Sequence, residues 1–133
     1  MGLWSVLHYD DPGQVVDFLV AVAGFEQALV VPDEDGDIVH AELHRPDGGS
    51  LVLGSTKRSG GVHGHLRPGT SAFYLVQDGV AEVEQVHGRA RAAGAEIVAA
   101  PHWTTFGSGA DSYVLVVRDP GGVLWTFGTY RGA

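Results

Sequence analysis

The feature that most constrains this chain is that it states one pattern twice. Arg45-Pro46-Asp47-Gly48-Gly49-Ser50-Leu51 is matched by Arg118-Asp119-Pro120-Gly121-Gly122-Val123-Leu124, Asp11 by Asp78, and Gly24 by Gly94. A repeat of about 70 residues points to a duplicated unit. A half of that size is too small to cover both faces of its own sheet. Joining two halves solves this and leaves a cleft between them, where ligand pockets tend to sit.

Each half reads in the same order. Residues 2–9 alternate in character and predict a strand. Asp11-Pro12 then starts a helix, with Asp as N-cap and Gln14 at the reciprocal position. Val15, Phe18, Leu19 and Val22 form its apolar stripe and Gly24 closes it. Strands follow at 25–31, 37–44 and 50–55, separated by Asp35-Gly36 and the Pro46–Gly49 turn. The second half gives a strand at 71–77, Asp78 as N-cap and a stripe of Val80, Val83, Val86, Ala90 and Ala93 closed by Gly94. Strands follow at 95–100, 112–118 and 123–128, with a loop at 101–111. The fold class is α+β: two βαβββ modules forming a curved mixed β-sheet cup with helices on the outer face. The chain is expected to be one domain over 1–133, with module one at 1–56, a Gly- and Ser-rich linker at 57–70, and module two at 71–133.

Composition narrows the partners. With 133 residues, a net charge of −8 and no cysteine, the chain excludes disulfides and thiolate metal sites. It disfavours nucleic acid, whose phosphates an acidic surface repels. Met1–Val6 lacks a secretory pattern and no apolar run reaches membrane-spanning length, so a cytoplasmic location and no membrane partner are expected.

Three segments resemble a known superfamily. Asp11 through Phe25 is similar to its first helix. Arg89-Ala90-Arg91-Ala92-Ala93-Gly94-Ala95-Glu96-Ile97 is similar to its second helix and the next strand. Arg118 through Tyr130 resembles its terminal D-P-x-G hairpin. The chain thus resembles the glyoxalase/bleomycin-resistance protein/extradiol dioxygenase superfamily, the vicinal oxygen chelate fold. That superfamily hosts lyases, isomerases, dioxygenases, transferases and drug-sequestering proteins, so fold alone does not give function. Its metal-dependent members resemble one another in four His, Gln or Glu ligands. Two lie near the starts of the first strands, and two lie in the last strands. Carried onto this sequence by spacing from Asp11, Asp78 and Asp119, those positions are Trp4, Ser71 and Thr126, with Leu53 the repeat partner of Thr126. Trp, Leu, Ser and Thr are no chelating quartet, so no metal and no cofactor are expected.

Other candidate groups are His40, Glu42 and His44, which alternate on one strand face, and His63 and His65 in the linker. The strand parity that sends 51 and 53 into the cleft puts His40 and His44 on the outer face, and the linker histidines read as solvated. His8 shares parity with Trp4 and Val6, so it is the candidate catalytic acid or base; the bland alternative is a histidine satisfying backbone. The expected ligand-binding lining is Trp4, Val6, His8, Leu53, Ser71, Phe73, Leu75, Trp103, Val116, Leu124 and Thr126. Loop 101–111, with His102, Trp103 and Phe106, reads either as a lid or as a hairpin whose Trp tucks inward. The leading functional expectation is metal-independent binding of a small aromatic or amphipathic organic compound in the cleft between modules. The alternative is a glyoxalase-type lyase or isomerase, or a dioxygenase, using an atypical metal set or His8. A third reading is a structural or regulatory dimer without a ligand. Members of the superfamily commonly pair, and open sheet edges need covering, so a homodimer is expected.

Overall fold

The computed structural model of the chain describes residues 2–57, 67–105 and 109–132. His63, His65 and Phe106 lie outside the described residues. The chain divides into two compact units, Met1–Thr70 and Ser71–Ala133.

The first unit contains β1 (Trp4–Tyr9), α1 (Pro12–Ala21), β2 (Glu26–Pro32), β3 (Ile38–His44) and β4 (Ser50–Ser55). Its sheet order is β1-β4-β3-β2, with β1 parallel to β4 and the other pairs antiparallel. Helix α1 starts where Asp11 accepts the Gln14 N–H at 3.3 Å and Pro12 takes the first turn, where no amide donor is needed. Leu7 and Tyr9 of β1, Leu51 and Leu53 of β4, and Ala41 and Leu43 of β3 are buried. They share the face that α1 covers with Val15, Val16, Phe18 and Leu19.

The second unit repeats this with β5 (Ala72–Val76), α2 (Val80–Ala92), β6 (Glu96–Thr105), β7 (Asp111–Arg118) and β8 (Leu124–Gly128), in sheet order β5-β8-β7-β6. Its core face carries Leu115, Val117, Trp125 and Phe127 against Val83, Val86 and Ala90 of α2. Gly94, at φ +69°, ends α2. Its N–H reaches Arg91 O at 3.1 Å and that of Ala95 reaches Ala90 O at 2.9 Å, a paired closure that needs a left-handed residue. The two expected βαβββ orders are both present, so the α+β class holds. Neither helix among the described residues is long and apolar enough to cross a membrane.

Two local expectations are corrected. Helix α2 is capped by Gly79, not Asp78, whose carboxylate instead receives Arg131 Nη2 at 3.1 Å. Residues 101–105 are not loop: β6 runs through Pro101 to Thr105. It does so as an edge strand with register shifts between Ile97 and Ala99 and between Ala99 and His102. An edge position and a bulge are where a sheet tolerates a residue without an N–H, and the bulges break the alternation that would reveal the strand.

The two hairpins also fix the repeat. Arg45 N–H donates to Gly49 O at 3.0 Å and Gly48 N–H to Arg45 O at 3.1 Å. Asp119 N–H donates to Val123 O at 2.9 Å and Gly122 N–H to Asp119 O at 3.0 Å. The structural equivalent of Asp119 is therefore Arg45, one residue away from the pairing that matching letters suggests.

Candidate functional site

The side of the first sheet turned away from α1 is built from alternate residues of all four strands. Strand β1 contributes Trp4, Val6 and His8, which the pairing sets beside Ser50, Val52 and Gly54 of β4. Strand β3 sets His44 beside Ser50 and Glu42 beside Val52, and the same register carries His40 level with Gly54. Edge strand β2 adds Glu26, Leu29 and Val31 beside His44, Glu42 and His40. The result is three rows: Trp4–Ser50–His44–Glu26, Val6–Val52–Glu42–Leu29 and His8–Gly54–His40–Val31.

These rows hold their polar groups in specific contacts. His40 Nε2 and Glu42 Oε2 are 2.8 Å apart. His44 Nδ1 and Ser50 Oγ are 2.8 Å apart, and the His44 ring meets Trp4 edge-on at 5.1 Å and 83°. The His44 ring, itself held by Ser50, braces Trp4, which nevertheless remains 40% exposed, with Val6 beside it 38% exposed. The His8 ring lies across Gly54, where a Cβ would come within 3.3 Å of its Cδ2 and Nε2. A glycine at 54 gives that ring room to lie this close to β4.

In the second unit the corresponding face carries Ala72, Tyr74 and Val76 of β5, Leu124 and Thr126 of β8, and Val114, Val116 and Arg118 of β7. Here Tyr74 lies across Gly128, its Oη 3.0 Å from Tyr130 O and 3.4 Å from Ser112 Oγ. A Cβ on Gly128 would sit 2.4 Å from that oxygen.

The expected lining therefore splits. Trp4, Val6 and His8 share one face of the first sheet, and Val116, Leu124 and Thr126 share the corresponding face of the second. Leu53 does not join the first set: it is fully buried on the α1 face, and Val52 takes its place. Phe73 stacks on buried Trp125 at 4.7 Å and Leu75 pairs with Phe127, so both stand on the α2 face, and Tyr74 takes the place expected of them. Ser71 precedes β5, and its carbonyl accepts the Leu124 N–H at 3.3 Å. Trp103 is 62% exposed beside Tyr113, whose hydroxyl donates to Glu84 of α2, so it stands on the helix side rather than in the Thr126 row. His40, Glu42 and His44 are on the same face as Trp4, not on the opposite one. Their alternation was legible; the face was not, because a one-residue slip exchanges faces.

Those shifts move the inherited ligand positions to Trp4, Val52, Ala72 and Thr126. Indole, two alkyl groups and one neutral hydroxyl do not fit a divalent ion. Among the described residues, no group of three or more His, Asp or Glu side chains is placed to hold one. The titratable groups of the site are three imidazoles and the Glu42 carboxylate, with Glu26 at the β2 edge. Resolved pKa shifts lie elsewhere. The Arg45 guanidinium, hydrogen-bonded to Asp47 at 2.9 Å, holds that carboxyl below its usual 3.8, and the Glu84 carboxylate raises Tyr113 above 10.0.

Known proteins give the same fold. The chain is 30% identical to TioX from Micromonospora sp. ML1, with a TM-score of 0.76 over 98% of this chain and 99% of that one. A lactoylglutathione lyase from Agrobacterium tumefaciens is 22% identical, with a TM-score of 0.70 over 96% and 92% of the two chains. A glyoxalase/bleomycin resistance protein/dioxygenase from Nocardioides is 17% identical, with a TM-score of 0.68 over 96% and 82%. No curated protein matches the chain. The family model for the Glyoxalase/Bleomycin resistance protein/Dioxygenase superfamily matches residues 4–127, and the chain belongs to that superfamily.

Proposed function

We propose that this chain binds a small aromatic or amphipathic organic compound without a metal, on the first-sheet face that carries Trp4, Val6, Val52 and the His40–Glu42 pair. The carrying observation is Trp4, held edge-on by His44 yet 40% exposed next to an exposed Val6. An aromatic ring already fixed in place loses little freedom when a ligand stacks on it, and apolar walls with a few polar groups are what small-molecule sites use. The test is thermal shift against a metabolite and metal panel, wild type beside Trp4→Ala. A binder raises Tm by mass action, by an amount corresponding to about 2.7 kcal/mol at a hundredfold excess over Kd. Hits that stabilise both proteins equally would refute the placement.

A second reading, an acid–base enzyme centred on His8, is favoured by one observation: His8 shares this face, lying across Gly54. Turnover abolished in His8→Ala with ligand binding retained would establish it. We also propose a homodimer, because each four-stranded sheet ends in two edges and the segment before β1 exposes Leu3 almost fully. Sedimentation as a monomer at about tens of micromolar would overturn that.

A further inference from the structure

We infer that the ligand of the first-sheet face is an aromatic cation whose charge is met by Glu42, an inference that rests on the binding role proposed above.

Three observations carry it. First, Glu42 is ionisable, partly exposed (30%) and central to the face, with Val52 on one side and Leu29 on the other. His40 occupies Oε2. A neutral imidazole donating there leaves the carboxylate its negative charge and orients it, and a charge-assisted contact is the stronger kind. Second, no lysine or arginine stands on the three rows. The charged or titratable groups there are His8, His40, His44, Glu42 and Glu26. Arg45, the next residue along, turns away to Asp47, Ala23 O and the Phe25 ring. At a pH where imidazole is ordinarily neutral, the carboxylates are the charges left on this face, on a chain of net charge −8, which attracts cations and repels anions. Third, the fold does not require this polarity. The hairpin equivalence makes Val116 the counterpart of Glu42, and Val114 that of His40. The same sheet positions are thus built from two valines where no charge is needed.

The spacing sets the ligand's size. Neighbouring strands are about 4.8 Å apart and successive rows about 7 Å, so Trp4 and Glu42, two strands and one row apart, have Cα atoms separated by roughly 12 Å. That span is of the order of a bicyclic aromatic cation together with the two side chains that would meet it.

The test compares 1-methylquinolinium with 4-methylquinoline, a neutral compound of the same size, by amide chemical-shift titration at pH 8, where histidine is ordinarily neutral. Wild-type protein is expected to bind the cation about tenfold more tightly, with shifts clustered on β1, β3 and β4. Glu42→Gln should abolish that preference, and an amide spectrum dispersed as in wild type shows the variant folded. Equal affinities in wild type, or a preference that survives Glu42→Gln, would overturn the cation inference while leaving the binding face intact. Binding of neither compound would overturn the binding face as well.

Discussion

Asp119 is the most informative position at which to test the energetics of the fold. It is 3% exposed, and its Oδ1 accepts the N–H groups of Gly121 at 2.8 Å and Val123 at 3.0 Å. Its Oδ2 accepts Trp125 Nε1 at 2.9 Å, inside the core of the second unit. Asp119→Ala removes a hydrogen bond to a charged acceptor from each of three donors. A hydrogen bond to a charged group contributes about 1.5–3 kcal/mol, and a buried donor left unpaired costs about 1–3 kcal/mol. Trp125 and the Val123 amide are buried and cannot turn to water, whereas the part-buried Gly121 amide recovers some of its loss from solvent. The expected loss is about 3–4 kcal/mol, a large share of the ~5–15 kcal/mol available to a domain. Asp119→Asn separates the contributions. Its amide oxygen still serves the two backbone donors, while its NH₂ faces the indole N–H, so about 1–2 kcal/mol is expected. Urea unfolding followed by circular dichroism at pH 7 measures both. An alanine variant within about 1 kcal/mol of wild type at unchanged m, or an asparagine variant as damaging as alanine, would refute this account.

Gly128→Ala should cost about 1–3 kcal/mol, because the new methyl drives Tyr74 from its position and breaks its bond to Tyr130 O; equal stability in urea would show that Tyr74 moves freely. Asp47 has a folded pKa held below 3.8 by Arg45, so its contribution is present above pH 3.8 and is lost as pH falls through the lower folded value. The carboxylate is 57% exposed and screened, so Asp47→Asn should change acid unfolding by no more than about 1 kcal/mol, read as the urea midpoint at pH 6 and pH 3. Tyr113 is raised above 10.0 by Glu84, so its neutral-phenol contribution is present below pH 10 and is lost as pH rises past the folded value. Ultraviolet titration against Tyr113→Phe should show this phenol ionising late, and earlier in Glu84→Gln.

The architecture was legible because its punctuation is local. Asp11-Pro12, Gly24, Gly94 and the Gly-rich hairpins each impose a backbone geometry that few residues supply, and together they bound nearly every element. The site was half legible. Parity along β1 places Trp4, Val6 and His8 together without reference to any other strand. The remaining lining depended on aligning one half with the other, and there the letters misled. R-P-D-G-G and R-D-P-G-G look superimposable, yet Arg45 and Asp119 close equivalent hydrogen bonds, so β4 slides by one against β8. Taking Asp78 rather than Gly79 as the helix cap slides β5 in the same way. Each slip exchanges faces, sending Leu53, Phe73 and Leu75 to the helix side and bringing Val52, Glu42, His40 and Tyr74 into view. Nothing local in Asp78 signals its true partner, Arg131, which lies 53 residues on.

Duplication makes the second unit a control for the first. Both units place an aromatic side chain from the first strand over a glycine in the last, His8 over Gly54 and Tyr74 over Gly128. The two reach their glycines differently: His8 pairs directly with Gly54, whereas Tyr74 pairs with Thr126 and crosses diagonally to Gly128, whose own partner is Val76. The chemistry laid on the shared sheet is where the halves diverge. In the second unit the Tyr74 hydroxyl is tied to the chain's own C-terminal segment through Tyr130 O, and Val114 and Val116 stand where the first has His40 and Glu42. Its polar group is committed inward and its neighbours are alkyl. In the first unit the same positions hold a carboxylate bonded to an imidazole, beside an indole that is fixed but exposed. A partly exposed Glu–His pair on an apolar face adds little to stability, since such pairs contribute about 0–1 kcal/mol. Stability alone would favour the valines that the second unit shows the fold accepts. The polar pair in the first unit is therefore better accounted for by recognition than by folding, and it is on that sheet that ligand contacts should be sought.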